Sequence, residues 1–216
     1  MSKAYIIAAA GEWNEKFNDY EYFVSNPSEL NSILKSVSPK YIFFIHWHWK
    51  IPNLIWSNFE CIAFHMTNLP YGRGGSPLQN LILKGHKETK LTAFLVEEGF
   101  DSGPIYLKKD LDLQGSAHDI YKRTSSLSVE MMDEIISKNI KPKRQEGQVV
   151  KFKRRKPNES LLPSLSNLKE MYDFIRMLDA PGYPKAFSET AKIRIEFDQA
   201  NYAEGKLTTR LKILKK

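Results

Sequence analysis

The stretch Cys61-Ile62-Ala63-Phe64-His65-Met66-Thr67-Asn68-Leu69-Pro70-Tyr71-Gly72-Arg73-Gly74-Gly75-Ser76-Pro77 changes character in its middle. Cys61 to His65 is a short apolar run, which reads as a buried strand. From Met66 to Ser76 the glycines, Pro70 and Asn68 mark a loop. Pro77 is suitably placed in the first turn of a helix reaching about Lys84. A strand that runs through a loop into a helix is the building unit of α/β sheets. Ligands bind such sheets at the carboxyl ends of the strands, and His65 is expected at such an end.

The same alternation extends in both directions. Ala4 to Ala10 is an apolar run ending at Gly11, a buried strand followed by a turn. Asn26-Pro27-Ser28-Glu29 offers a capped helix start, with the helix running to about Lys35, and Tyr41 to about Ile45 reads as the next strand. Pro52 to Trp56 forms a turn or short helix. Downstream, strands over Leu91 to Glu97 and Pro104 to Leu113 flank the polar turn Gly99-Phe100-Asp101-Ser102-Gly103. His118 to Lys138 carries Ile120, Leu127, Met131 and Ile135 at helical spacing. The expected fold class is therefore α/β, Rossmann-like, with a largely parallel sheet flanked by helices over residues 1–140. Residues 141–216 are expected to add a surface connection (Ile140 to Pro157), a helix (Leu165 to Leu178) and a β-hairpin turning at Glu204-Gly205.

Composition narrows the classes. Hydrophobic residues at 42% and charged residues at 26% of 216 positions are ordinary for a soluble globular chain and argue against disordered, collagenous and membrane classes. The net charge of +7 favours an anionic partner. Part of the excess lies in Lys151, Lys153, Arg154, Arg155 and Lys156. The one cysteine, Cys61, has no partner for a disulfide or a metal site. His46 and His48 alternate without a third ligand, so no metal is expected. Neither a GxGxxG nor a P-loop pattern is present. The start of the chain lacks the pattern of a signal peptide and no segment has the length of a membrane span, so a cytoplasmic location is expected.

The stretch around His65 resembles the signature of the formyltransferase family: His65, Leu69-Pro70, Arg73-Gly74 and Pro77 stand at the family's spacing. Val96-Glu97-Glu98-Gly99-Phe100-Asp101-Ser102-Gly103 resembles the second signature, an aspartate in a DSG turn. The resemblance covers roughly residues 40 to 190. It implies 10-formyltetrahydrofolate as formyl donor and His65 and Asp101 as the catalytic pair. It also implies a folate pocket walled by Trp47, His48, Trp49, Lys50 and Ile51, with Val96, Glu97 and Gly99 beside it. In this chemistry an amine attacks the formyl carbon, giving an oxyanion and a proton to lose. A histidine can accept that proton or, once charged, stabilise the oxyanion, and a neighbouring carboxylate orients it. One position departs from the family: the asparagine expected two residues before the histidine is Ala63. On a strand the two side chains share a face about 6.6 Å apart, and losing one oxyanion donor typically costs on the order of 100- to 1000-fold in rate. Asn68, which supplies an amide, ranks ahead of Thr67 as its replacement.

The family's main acceptors are methionyl-tRNA, nucleotide-linked amino sugars and glycinamide ribonucleotide. Members acting on tRNA carry a further β-barrel domain for which no room remains after residue 190, and the chain lacks a long basic stripe, so a nucleic-acid partner is not expected. The Met171 to Phe187 segment is a poor match to glycinamide enzymes. The expectation is thus a nucleotide-linked amino sugar, of the UDP-linked 4-amino-4,6-dideoxy type found in pseudaminic-acid-like pathways. Candidate contacts are Gly11, Arg73, Gly74, Gly75, Ser76, Arg154, Arg155, Arg176, Tyr183 and Phe187, the arginines being suited to a diphosphate. A methionyl-tRNA formyltransferase-like enzyme without the RNA-binding domain, or an inactive folate- or nucleotide-binding module, are the alternatives. Pairing through the C-terminal region would make a homodimer.

Overall fold

The computed structural model describes residues 4–216. Along the chain run β1 (Tyr5–Ala9), β2 (Phe23–Val24), α1 (Pro27–Ile33), β3 (Tyr41–Ile45), α2 (Asn53–Trp56), β4 (Glu60–His65), β5 (Arg73–Gly74) and α3 (Pro77–Leu83). There follow β6 (Glu88–Leu95), β7 (Ile105–Asp112), α4 (Ala117–Lys138), β8 (Lys151–Phe152), α5 (Leu168–Arg176), β9 (Ala186–Glu189), β10 (Ile193–Ala203) and β11 (Lys206–Lys215). The helix starts follow the sequence. Asn26 caps α1 by accepting from the Glu29 amide at 3.0 Å, and Asn167 caps α5 through Glu170 at 2.9 Å.

Six strands form one sheet in the order β2-β1-β3-β4-β6-β7. Strands β2, β1, β3 and β4 are mutually parallel. Strand β6 runs antiparallel to β4, pairing Ala63 with Phe94 and His65 with Thr92. A mostly parallel sheet is buried on both faces, which is why its strands read as unbroken apolar runs. Ile6, Ala8, Ile42, Phe44 and Cys61 pack on one face with Leu30 of α1 and Ile55 of α2. The alternate residues Ile7, Phe43, Ile45 and Ile62 are equally buried. Burial pushes the Cys61 thiol up to about 12. The sheet reverses its order on either side of β1, the place where α/β sheets bind ligands.

The chain divides into two compact units. One holds the segment up to Gly74 with Thr89–Leu111 and Tyr121–Lys151, and so most of the large sheet. The other comprises Gly75–Glu88, Asp112–Ile120 and Phe152–Lys216. Its sheet has the order β11-β10-β9, with β10 antiparallel to both neighbours and a register shift between Asp198 and Asn201. The expected hairpin is present, and β9 is an additional strand. Helix α5 packs against β10, and the Tyr172 and Tyr202 rings meet with centroids 6.0 Å apart. No helix among the described residues is long and apolar enough to cross a membrane.

Candidate active site

His65 is the last residue of β4 and only 8% exposed. Its Nε2 lies 2.8 Å from the Gly72 carbonyl oxygen, and its Nδ1 faces Asp101 Oδ2 at 3.6 Å. A carbonyl only accepts, so Nε2 is the nitrogen that carries a proton and Nδ1, on the Asp101 side, is the one left to receive another. Asp101 sits in the turn between β6 and β7 with φ 51, a left-handed conformation that aspartate adopts more readily than most residues. Its Oδ2 accepts from the Gly74 amide at 2.8 Å. The loop after β4 therefore holds both members of the pair, accepting from the histidine at Gly72 and donating to the aspartate at Gly74.

Three residues around this pair have no sequence signal of their own. Gly72 acts through its backbone. Lys108 of β7 donates to Asn68 Oδ1 at 2.6 Å and to the Leu69 carbonyl at 2.5 Å. Burial, with Lys90 nearby, lowers its pKa. Because an ammonium only donates, it fixes the Asn68 amide with its oxygen toward Lys108 and its NH₂ turned away. Gln145, in the stretch read as a surface connection, donates to the Asp101 and Gly103 carbonyls, both at 2.8 Å. Its Oε1 accepts from the Arg73 guanidinium at 3.1 and 2.7 Å, so Arg73 is engaged with the protein. Ala63 is half-buried, two residues before His65 on β4. Thr67 is fully buried; its carbonyl accepts from Thr92 at 2.6 Å and its hydroxyl has no partner among the described residues.

The segment after β3 is aromatic. Trp47 packs edge-on against Phe44 and Trp49, with centroids 5.5 and 4.8 Å apart, and the His48 ring lies 3.8 Å from that of Trp49. Trp47, Ile51 and Val96 all pack against the apolar cluster under the sheet. Trp47, Lys50, Ile51, Pro52 and Ile55 line a cleft of about 40 Å³. Glu97 and Gly99 are exposed, Gly99 at φ 101. His46 has φ 52, and its Nε2 lies 3.2 Å from both the Tyr121 carbonyl oxygen and Ser125 Oγ. Burial lowers its pKa to about 4. No cluster of three or more potential metal ligands occurs among the described residues.

The residues expected to meet the acceptor have diverse surroundings. Gly11 has φ 104, and a Cβ there would come within 2.4 Å of the Trp13 ring. A Cβ on Gly75 would meet Arg154 Cβ at 2.4 Å and its Cα at 2.6 Å, so only glycine lets these backbones approach. Ser76 Oγ accepts from the Arg155 amide at 3.0 Å. The Arg155 guanidinium donates to the Glu159 carbonyl and lies 5.7 Å from the Phe174 ring centroid. Arg154 is exposed. Arg176 is 7% exposed and donates to Leu113 and Gly115 carbonyls at 2.6 and 2.9 Å and to Asp173 at 2.6 Å. Tyr183 is half-buried, and Phe187 lies buried beneath the Arg194 guanidinium, 3.6 Å from its ring centroid.

Residues 12–136 match the family model described as formyl transferase, more than half of the chain. The chain belongs to the formyltransferase family. Residues 157–214 of this formyltransferase match a second model, the methionyl-tRNA formyltransferase C-terminal domain. A methionyl-tRNA formyltransferase of Thermodesulfovibrio yellowstonii is 26% identical over 180 residues, 80% of this chain and 58% of that protein. The chain thus spans less than two thirds of that relative. The solved structure of methionyl-tRNA formyltransferase from Clostridium thermocellum matches at 43% identity with a TM-score of 0.91, over 98% of this chain and 99% of that one. A 4-N formyltransferase from Francisella tularensis matches at 13% identity and a TM-score of 0.64, a likeness of fold alone.

These matches overturn the expected amino-sugar acceptor. The expectation rested on length, on the premise that a chain ending near residue 216 has no room for an RNA-binding extension. The C. thermocellum chain is nearly coextensive with this one, and residues 157–214 themselves match a methionyl-tRNA formyltransferase C-terminal domain. The short tail does not separate the acceptor classes.

Proposed function

We propose that this formyltransferase moves the formyl group of 10-formyltetrahydrofolate onto the amino group of methionyl-tRNA. The 43% identity to a methionyl-tRNA formyltransferase across nearly both whole chains carries this reading. The His65–Asp101 pair, held by one loop, supports the chemistry. The nucleic-acid partner set aside on sequence grounds is thereby restored, and the net charge of +7 suits it. The two family matches, over 12–136 and 157–214, support a division of the sequence near residue 140, whereas the compact units divide at Lys151 and the second also takes in Gly75–Glu88 and Asp112–Ile120.

The donor supplies an activated formyl carbon. The aromatic and apolar wall of Trp47, Ile51 and Val96 suits a flat heteroaromatic ring, with Lys50 exposed at its rim. The cleft's 40 Å³ is well below the roughly 300 Å³ of a small ligand site, so binding a ring there requires the cleft to widen. His65 Nδ1 and Asp101 Oδ2 stand ready to take the proton of the attacking amine and return it to the folate nitrogen as that nitrogen's bond to the formyl carbon breaks. The 3.6 Å between them leaves no room for an atom in between, but an amine approaching from the side can meet both. Gly72 keeps Nε2 protonated, so uptake at Nδ1 yields an imidazolium that faces Asp101 and offsets negative charge developing on the formyl oxygen. With Ala63 on β4, the outward NH₂ of Asn68 is the amide donor nearest in sequence to His65.

Purified protein given 10-formyltetrahydrofolate and methionyl-tRNA should release formylmethionyl-tRNA, and His65→Asn should lower kcat by about 10²- to 10⁴-fold. Donor binding without any turnover by the wild-type protein would instead identify an inactive folate-binding module. A His65→Asn variant as active as wild type would remove the histidine from its role.

A further inference from the structure

We infer that Gln145 is the positioning residue of the catalytic pair, setting Asp101 opposite His65 by clamping the aspartate's turn to the loop that holds the histidine. The inference rests on the roles proposed above for His65 and Asp101.

Every hydrogen-bonding capacity of the Gln145 amide is used. One NH donates to the Asp101 carbonyl and the other to that of Gly103, both at 2.8 Å, while the oxygen receives the Arg73 fork at 3.1 and 2.7 Å. Only an amide of this length serves all of these at once, since it must donate twice toward one loop and accept toward the other. The turn it grips contains Asp101 at φ 51, a conformation that persists only when its surroundings hold it. The other end, Arg73, lies between Gly72, which accepts from His65 Nε2, and Gly74, which donates to Asp101 Oδ2. One side chain thus bridges the two loops on which the His65–Asp101 geometry depends. The segment that carries Gln145 is pinned on either side of it: Lys143 bridges Ile105 in both directions at 2.7 and 2.9 Å, and the Val150 carbonyl accepts from Gly72 and Arg73, both at 2.9 Å. The hydrogen bonds of the Gln145 side chain go to Arg73 and to the Asp101 and Gly103 carbonyls rather than to the ring or carboxylate of the pair, so its effect is exerted through them.

The test uses the full chain and two independent readouts. Gln145→Leu removes the clamp. Gln145→Glu keeps the acceptor for Arg73 but presents oxygen to the Asp101 and Gly103 carbonyls. Both variants should lose kcat on the order of 100-fold, as for a misplacement of about 1 Å, with KM for the donor nearly unchanged. Gln145→Asn should recover part of the loss. Amide exchange at Gly74, whose NH donates to Asp101, should accelerate at least tenfold in both the Leu and Glu variants while exchange in β1 and β3 stays as in wild type. Unchanged Gly74 exchange, or a Glu variant with wild-type kcat, would overturn the inference. Accelerated exchange spread across the whole sheet would overturn it as well, showing a general loss of stability. If the wild-type protein forms no formylmethionyl-tRNA, the functional reading fails, while the exchange measurement still decides the role of Gln145.

Discussion

Asn68 shows how a neighbour of one fixed chemistry assigns a role that neither residue reveals alone. Lys108 can only donate, so it claims the amide oxygen at 2.6 Å and leaves both NH donors of Asn68 facing elsewhere. That arrangement gives an exposed amide a defined direction in the loop after His65, next in the chain to a strand that carries Ala63 where an asparagine is expected. If those donors meet the formyl oxygen, Asn68→Ala should reduce kcat on the order of 100-fold. Asn68→Asp, which keeps an acceptor for Lys108 and removes the donors, should fall equally far. Steady-state kinetics on both variants decide the matter: near-wild-type turnover by the aspartate variant would show that only the bond to Lys108 matters.

Strands, helices and the ring cluster behind them set a pH dependence at the scale of elements. His46, at the end of β3, lies edge-on to Trp13 of the turn after β1 and to Tyr121 of α4, with centroids 5.6 and 5.2 Å away. Part of the residue reaches the surface, but its ring is enclosed, and burial holds the pKa near 4. The unfolded chain takes up this proton near pH 6.5. Between about pH 6.5 and pH 4 the unfolded state therefore binds more protons, and stability declines as pH falls through that window, levelling off below it. The full loss approaches about 3 kcal/mol, reduced by the partial exposure of the residue. Denaturant midpoints at about pH 7.5 and about pH 4.5 should differ for wild type and converge for His46→Asn, which tolerates the left-handed backbone. Equal convergence in the wild type would show that the ring is solvated. The elements themselves were largely legible: buried parallel strands are unbroken apolar runs, and Asn26 announces the helix it caps, whereas the start expected at Leu165 falls at Leu168, behind the Asn167 cap. Strand β9 was not, because Ala186-Phe187-Ser188-Glu189 is four residues long and gains its strand character from pairing with β10. The site was half legible for the same reason. His65 and Asp101 stand in motifs, whereas Gly72 contributes a carbonyl and Gln145 an amide whose partners lie 42 to 72 residues away.

At the scale of the whole molecule the charge of the proposed acceptor becomes measurable. Transfer RNA is a polyanion, and each phosphate contact it makes with a cation releases condensed counterions, so binding weakens with salt in proportion to the number of contacts. The formyl donor, a small molecule, makes no such series of contacts. Ion pairs such as Arg210–Asp198, Lys185–Asp179 and Lys216–Glu189 each use one cation and one anion, so they leave the excess of 32 Lys and Arg over 25 Asp and Glu intact. Lys153 and Arg154 are exposed and make no ion pair among the described residues. They are also held in place: Gly75 donates to the Phe152 carbonyl at 3.2 Å, Asn80 to that of Lys153 at 3.1 Å, and the Arg155 amide to Ser76 at 3.0 Å. This fastens the two cations alongside Gly75 and Ser76, in the signature loop that follows His65. KM for methionyl-tRNA should therefore rise steeply with salt while KM for 10-formyltetrahydrofolate stays nearly flat. Replacing both residues by glutamine should lower the slope of log KM for methionyl-tRNA against log salt by about 1.4 to 1.8, the share of two phosphate contacts. Thermal stability should be unaffected, since neither side chain supports a neighbour. A slope that stays at the wild-type value in the double variant would place the RNA on another face of the molecule, and a donor KM that rises in parallel would attribute the salt effect to the catalytic site.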